Sequence, residues 1–350
     1  MKKTVIILTV LCILLTTAIA GCGKRPGSEG EVNVYNWGEY IDDSIFRTFE
    51  RETGIAVNYF EYQNNEEMYA LLKMGGTKVD VIIPSDYMVS RLIEEDMLER
   101  LDFSNIPNYS LIDSRYKNLE YDPEGRYSVA YMTGTVVLIY NSAMISDRIT
   151  GWGSLFDGKY PGQTLMFDNP RDAFGIALKH LGYYQNTIEE KEIREAFDLL
   201  VRQKPFLQAY VMDQIFDKLE SGEAWIGPYY AGDYLLMKES NPDLRVVRPV
   251  EGSNYFVDAM CIPKSAENKT NAELFINFMC RTDIALKNME EIYYASANYE
   301  AVAKFSEDLE PEDYEIMFAS DETLANCDVF KNLPREILEL YNDLWIEVKR

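Results

Sequence analysis

Val32 and Val34 alternate with polar Asn33 and lead into Tyr35, the period of a strand that buries one face. The run breaks at Gly38, and Asp42, Asp43 and Ser44 supply helix-start chemistry. Trp37 and Tyr40 are therefore expected in the loop between a first strand and a first helix. In open α/β sheets, ligands bind in the crevice outside the carboxyl ends of the strands. Two large rings there either cap the core or line such a crevice. Ile45, Phe46 and Phe49 then follow a helical spacing over 44–53, stopped by Gly54, and 55–60 reads as a second strand. Asn64 or Asn65 caps a helix carrying Met68, Leu71 and Leu72, which ends at Gly75-Gly76. Residues 79–83 form a strand, apolar except for Asp80, that runs into Pro84-Ser85-Asp86-Tyr87 and a helix over 88–95. This βαβαβ order predicts one largely parallel sheet and sets Ser85 and Tyr87 on the same edge as Trp37 and Tyr40.

After a turn-rich stretch over 105–125, strands are expected at 127–132 and 135–140, separated by Gly134, where the chain crosses into a second domain. A strand at 165–167 leads to Asp168-Asn169-Pro170-Arg171-Asp172 and a helix over 171–181. Pro170 suits the first turn, Asp168 or Asn169 suits the N-cap, and Asp172 either favours the helix dipole or meets a ligand. Helices follow at 189–203 and 213–221. A short strand at 224–227 precedes Tyr229-Tyr230-Ala231-Gly232-Asp233, and further strands occupy 244–249 and 255–262. Phe256 and Asp258 share one face of the last strand. A carboxylate in a central strand is costly unless it pairs with an arginine or faces a cleft. Helices at 272–280 and 283–291 precede Tyr293-Tyr294, and the amphipathic stretch 335–349 is expected to pack as core.

The N-terminus sets the address. Lys2 and Lys3 precede an uncharged run over 4–20 and then Ala20-Gly21-Cys22. That is an export signal, short of the ~20 residues a permanent membrane helix needs. It resembles a bacterial lipoprotein signal, which implies lipidation of Cys22. Residues 22–30 read as a tether. The formal net charge of -24 disfavours nucleic acid and favours cationic partners. Beyond the signal and Cys22 only Cys261, Cys280 and Cys327 remain, without a Cys-x-x-Cys pair, so neither a disulfide framework nor a zinc site is indicated. The single histidine, His180, is expected on a helix surface.

Several segments in order resemble the spermidine/putrescine-binding proteins of bacterial polyamine ABC importers. They are Val34-Tyr35-Asn36-Trp37-x-Glu39-Tyr40, Pro84-Ser85-x-Tyr87, Tyr230-Ala231-Gly232-Asp233, Phe256-x-Asp258 with Ile262-Pro263, and Tyr294-Ala295-x-Ala297-Asn298. The resemblance implies a two-lobed α/β fold of the periplasmic-binding-protein type II kind, each lobe a mainly parallel sheet flanked by helices. Residues 31–135 plus 257–302 would form lobe 1, and 136–256 plus 303–350 lobe 2. It implies a polyamine clamped by Trp37, Tyr40, Ser85, Tyr87, Asp172, Tyr230, Asp233, Phe256, Asp258 and Tyr294, with Glu39, Asp86, Asn169 and Lys331 as weaker candidates. It also implies a membrane permease as partner, an extracytoplasmic lipid anchor, a monomer, and no cofactor or metal. Asn169 stands where spermidine-type members carry an acidic residue, and Lys331 aligns loosely where Gln is frequent; both departures point toward putrescine. Competing readings are a tyrosine-based ferric-iron receptor and an enzyme using Cys261 as nucleophile.

Overall fold

The computed structural model describes residues 29–350, so the leader, Cys22 and most of the tether lie outside the described residues. The chain opens with β1 (Glu31–Trp37), α1 (Ser44–Thr53), β2 (Ala56–Tyr62), α2 (Asn65–Met74), β3 (Val81–Ile82) and α3 (Asp86–Glu94). β1 is parallel to both β2 and β3, as the alternating order requires. Gly54 ends α1 in the left-handed conformation with φ 79°, and the Asn64 side chain caps α2 by accepting from the Glu67 N–H. Asp80 is buried yet satisfied, accepting from the backbone and side-chain nitrogens of both Asn33 and Asn268.

Three short 3-10 turns lead to β4 (Ser128–Asn141), followed by β5 (Thr164–Phe167), α4 (Pro170–His180), α5 (Glu190–Gln203), β6 (Leu207–Val211) and α6 (Ile215–Glu220). Then come β7 (Ile226–Tyr230), α7 (Ala231–Ser240), β8 (Leu244–Val247), β9 (Ser253–Cys261), α8 (Lys269–Met279) and α9 (Thr282–Ile292). The chain closes with β10 (Ala295–Ser296), α10 (Tyr299–Phe305), α11 (Pro311–Met317), α12 (Asp321–Leu324), β11 (Cys327–Asp328) and α13 (Arg335–Lys349).

The strands lie in the order β2-β1-β3-β9-β4-β7-β5-β6, with β8 and β10 also on β4 and β11 on β9. β9 runs antiparallel to β3 and β4, and β4 antiparallel to β7, so the sheet is mixed where they pass. Two expectations change here. Gly134 does not separate two strands: β4 is continuous through it and pairs Gly134 with Phe256. A Cβ on Gly134 would lie 2.7 Å from the Phe256 ring, so the glycine makes room for that ring and does not turn the chain. β4 changes partner instead, pairing with β9 over 128–135 and with β7 over 136–140. His180 is also less exposed than expected, because its ring stacks on Phe156 at 5.2 Å.

β6 and α7 are additions to the elements expected from the sequence. α7 is buried nearly all round, at Ala231, Gly232, Asp233, Tyr234, Leu235 and Met237, so it carries no one-sided apolar stripe to read. Two packing contacts anchor the elements that carry the cavity residues. Phe49 of α1 meets Phe275 and Phe278 of α8 at 5.3 and 5.2 Å, seating β1. Tyr341 and Trp345 of α13 pack on Phe174 of α4 at 5.0 and 6.4 Å, which holds the start of α4 in place.

Candidate functional site

Strand ends from both halves of the sheet converge on one cavity. Trp37 ends β1, and Gly38, Glu39 and Tyr40 follow it. Ser85, Asp86 and Tyr87 follow β3; Asn169, Arg171 and Asp172 follow β5; Tyr230 and Asp233 end β7 and open α7. Phe256 and Asp258 enter from β9, and Tyr294 from the turn before β10. Space open to water centres is about 60 Å³, a few molecules' worth at roughly 10–15 Å³ each, so the cavity is slim.

Its rings support one another. Trp37 lies 4.8 Å from Tyr62, and both donate to the Ile83 carbonyl, at 2.9 and 2.8 Å. Tyr40 meets Tyr294 edge-on at 4.9 Å, and Phe256 meets Tyr230 at 5.4 Å. Gly232 permits this arrangement, since a Cβ there would stand 2.6 Å from the Tyr294 ring.

Each of four aspartates is held by a tyrosine hydroxyl. Tyr40 donates to Asp258 at 2.8 Å, Tyr230 to Asp172 at 3.1 Å, Tyr294 to Asp233 at 2.6 Å and Tyr229 to Asp213 at 3.0 Å. Asp258 has no arginine partner among the described residues; the Ser85 hydroxyl lies beside it and, with Tyr40, favours its charged form. Burial raises Asp258 and Asp172 to about 7, while the hydroxyls that donate to them pull the other way. Burial likewise pushes Asp233 well above the usual carboxylate range. Asp86 rises to about 8 by burial although the backbone N–H groups of Tyr87 and Val257 both donate to it, at 2.7 and 3.1 Å, making it a brace between α3 and β9. The Asn169 side chain caps α4 by accepting from the Arg171 N–H. Arg171 lies over Tyr87 and Phe330, 4.8 and 4.6 Å from their centroids. It is the only cation among the lining residues, against six carboxylates: Glu39, Asp86, Asp172, Asp213, Asp233 and Asp258.

One candidate is corrected. Lys331 does not line the cavity; its exposed ammonium pairs with Glu120 at 2.8 Å and its N–H donates to Asn186. The neighbouring Phe330 turns inward instead, because adjacent residues of an extended segment face opposite ways. Tyr62, Asn65 and Asp213 also line the cavity and are absent from the sequence-based candidates. The available signal for Asp213 is an aspartate two residues past the end of a strand, and it is legible only once β6 is recognised.

A crevice walled by rings and carboxylates from both halves of a mixed sheet defines a receptor for a small cationic solute. Residues 44–319 match the family described as bacterial extracellular solute-binding protein, and the chain belongs to that family. It is 35% identical over 269 residues to the spermidine/putrescine-binding periplasmic protein of Salmonella typhimurium, covering 76% of this chain and 77% of that one. A solved structure from Listeria monocytogenes, named for a spermidine/putrescine ABC transporter, superposes with a TM-score of 0.86 at 37% identity over 91% of this chain and 98% of the other. The TpPotD lipoprotein of Treponema pallidum superposes with a TM-score of 0.80 at 26% identity over 91% and 99%. The fold is thus the type II periplasmic-binding-protein fold.

Proposed function

We propose that this protein is the extracytoplasmic receptor of a polyamine ABC importer, binding putrescine or spermidine and delivering it to the membrane permease. The carrying observation is the lining itself, six carboxylates and one guanidinium in a slim cavity of rings. A polyamine is a methylene chain with ammonium groups at its ends. Ring faces cover the chain and attract the cations, at roughly 0.5–2 kcal/mol each. Carboxylates fix the ammoniums by charge-assisted hydrogen bonds. A micromolar site needs about 8 kcal/mol net, within reach of a few such contacts.

The lobes are assigned as 31–135 plus 257–302 and 136–256 plus 303–350, supported by the partner change of β4 after Thr135 and by the packing of α13 on α4. Ligand residues come from both, so binding favours the closed arrangement to the extent that it holds the amine better than the open one. Cys22 is the lipid attachment point, in keeping with its place in the leader and with the lipoprotein of Treponema pallidum. The receptor acts as a monomer. Asn169 leaves the start of α4 one carboxylate poorer, which favours the dication putrescine or equal affinity for both amines; the cation expected from Lys331 does not contribute.

Neither competing reading gains support from the site. Ferric iron requires tyrosinates, whereas burial and neighbouring aspartates raise Tyr229, Tyr230 and Tyr294 well above the usual phenol value. Burial likewise raises the Cys261 thiol, which makes it a poor nucleophile. The test is a calorimetric and thermal-shift panel of putrescine, spermidine, cadaverine, amino acids and ferric iron. Heat and stabilisation from the polyamines are expected. Spermidine binding more than tenfold tighter than putrescine would overturn the preference, and silence from every polyamine would overturn the function.

A further inference from the structure

Gly38 follows β1 and Asp213 follows β6, in opposite halves of the strand order. A Cβ placed on Gly38 would stand 2.5 Å from Asp213 Oδ2. Carbon contacts settle nearer ~3.5 Å, so no side chain fits while Asp213 stays where it is. Gly38 has no positive φ, and the glycine is needed for clearance, not for torsional freedom. The missing side chain lets a carboxylate of one half press against the backbone of the other.

Tyr229 fixes Asp213 there by donating to Oδ1 at 3.0 Å, and Oδ2 is left toward Gly38. No lysine or arginine pairs with Asp213 among the described residues. Its surroundings share its sign, since Asp213 and Glu39 both act on Asp233. Asp86 and Asp172, by contrast, each feel Asp258. The acidic lining thus has two overlapping poles, around Asp258 and around Asp233, with Tyr40 in reach of both, and two ammonium groups on one short chain would satisfy both.

We propose that Asp213 is a ligand carboxylate of the second pole, delivered to the cavity by cleft closure, and that Gly38 is the clearance that admits it. This rests on the polyamine reading, and one titration series separates the two. The full-length wild-type protein, Asp213→Asn, Asp213→Ala, Gly38→Ala and the double variant Gly38→Ala/Asp213→Ala are titrated with putrescine and with butylamine, the same chain less one ammonium. Melting curves without ligand report folding.

Asp213→Asn is expected to bind putrescine roughly ten- to a hundredfold more weakly. Its preference for putrescine over butylamine should shrink by the same factor, with no loss of ligand-free melting temperature. Gly38→Ala should weaken putrescine as well, and adding it to Asp213→Ala should cost nothing further, because the obstructing carboxylate is gone. Unchanged putrescine affinity in Asp213→Asn overturns the proposal and leaves the receptor reading standing. A weaker variant with an unchanged putrescine-to-butylamine ratio also overturns it, since Asp213 would then act only on structure. No heat from wild-type protein with any polyamine overturns both.

Discussion

Tyr40 and Asp258 stand 218 positions apart in the chain and 2.8 Å apart in space, the hydroxyl donating to Oδ2. The carboxylate is thereby aimed, with Ser85 on its other side. Asp258→Asn preserves an acceptor for Tyr40 and removes the charge. Polyamine affinity should fall by about 1.5–3 kcal/mol, the range for hydrogen bonds to charged groups. The ligand-free protein should melt no lower, since a buried charge has been removed. Calorimetry with melting curves checks both halves; a lower ligand-free melting temperature with intact affinity would assign Asp258 to the fold.

The pH response comes from burial. Asp258 and Asp172 sit at about 7 and Asp86 at about 8, all above the usual 3.8. The folded, ligand-free protein therefore holds protons that the unfolded chain has released. That contribution to stability is complete below about pH 4 and is lost as pH rises through 7 to 8. An amine requires the charged carboxylates, so affinity should climb from about pH 5.5 to 8 and then level. Titrations in buffers of different ionisation heat count the protons expelled, and none expelled near pH 6.5, roughly midway through that rise, would contradict the account.

Trp37 is the only one of the four tryptophans that lines the cavity. Ligand should therefore change the intrinsic fluorescence, and Trp37→Phe should abolish most of that change. The variant also loses the bond to the Ile83 carbonyl, and affinity should drop several-fold. A ligand-induced change that persists in Trp37→Phe would place the amine elsewhere.

Gly232→Ala introduces a Cβ 2.6 Å from the Tyr294 ring and 2.9 Å from the Tyr293 carbonyl. The backbone oxygen cannot swing aside as a flexible side chain does. Overpacking of this kind costs about 1–3 kcal/mol. Tyr294 should also be displaced from Asp233, weakening ligand along with stability. Denaturant titration and calorimetry on the same variant check the pair of effects.

Much of the site is legible along the chain because local chemistry announces it. The β1–α1 and β3–α3 junctions carry turn and cap residues, so Trp37, Tyr40, Ser85 and Tyr87 fall on one edge from sequence alone. Asp258 stands out as a charge in an otherwise apolar strand. The hidden features depend on distant parts of the chain. Gly134 looks like a break and is clearance for a ring brought by β9. Phe330 and Lys331 exchange roles because the direction of an irregular segment is set by its packing partners. α7 lacks a polar face because it is covered on nearly every side.

β4 runs unbroken from one half of the sheet to the other, and β9 lies hydrogen-bonded beside it. The link between the halves is therefore a continuous rib, braced by β9 as far as Thr135 and by β7 beyond it, not a slack cord. In the two-lobed reading proposed above, jaw movement would be taken up as torsion along that rib and not at a single loose joint.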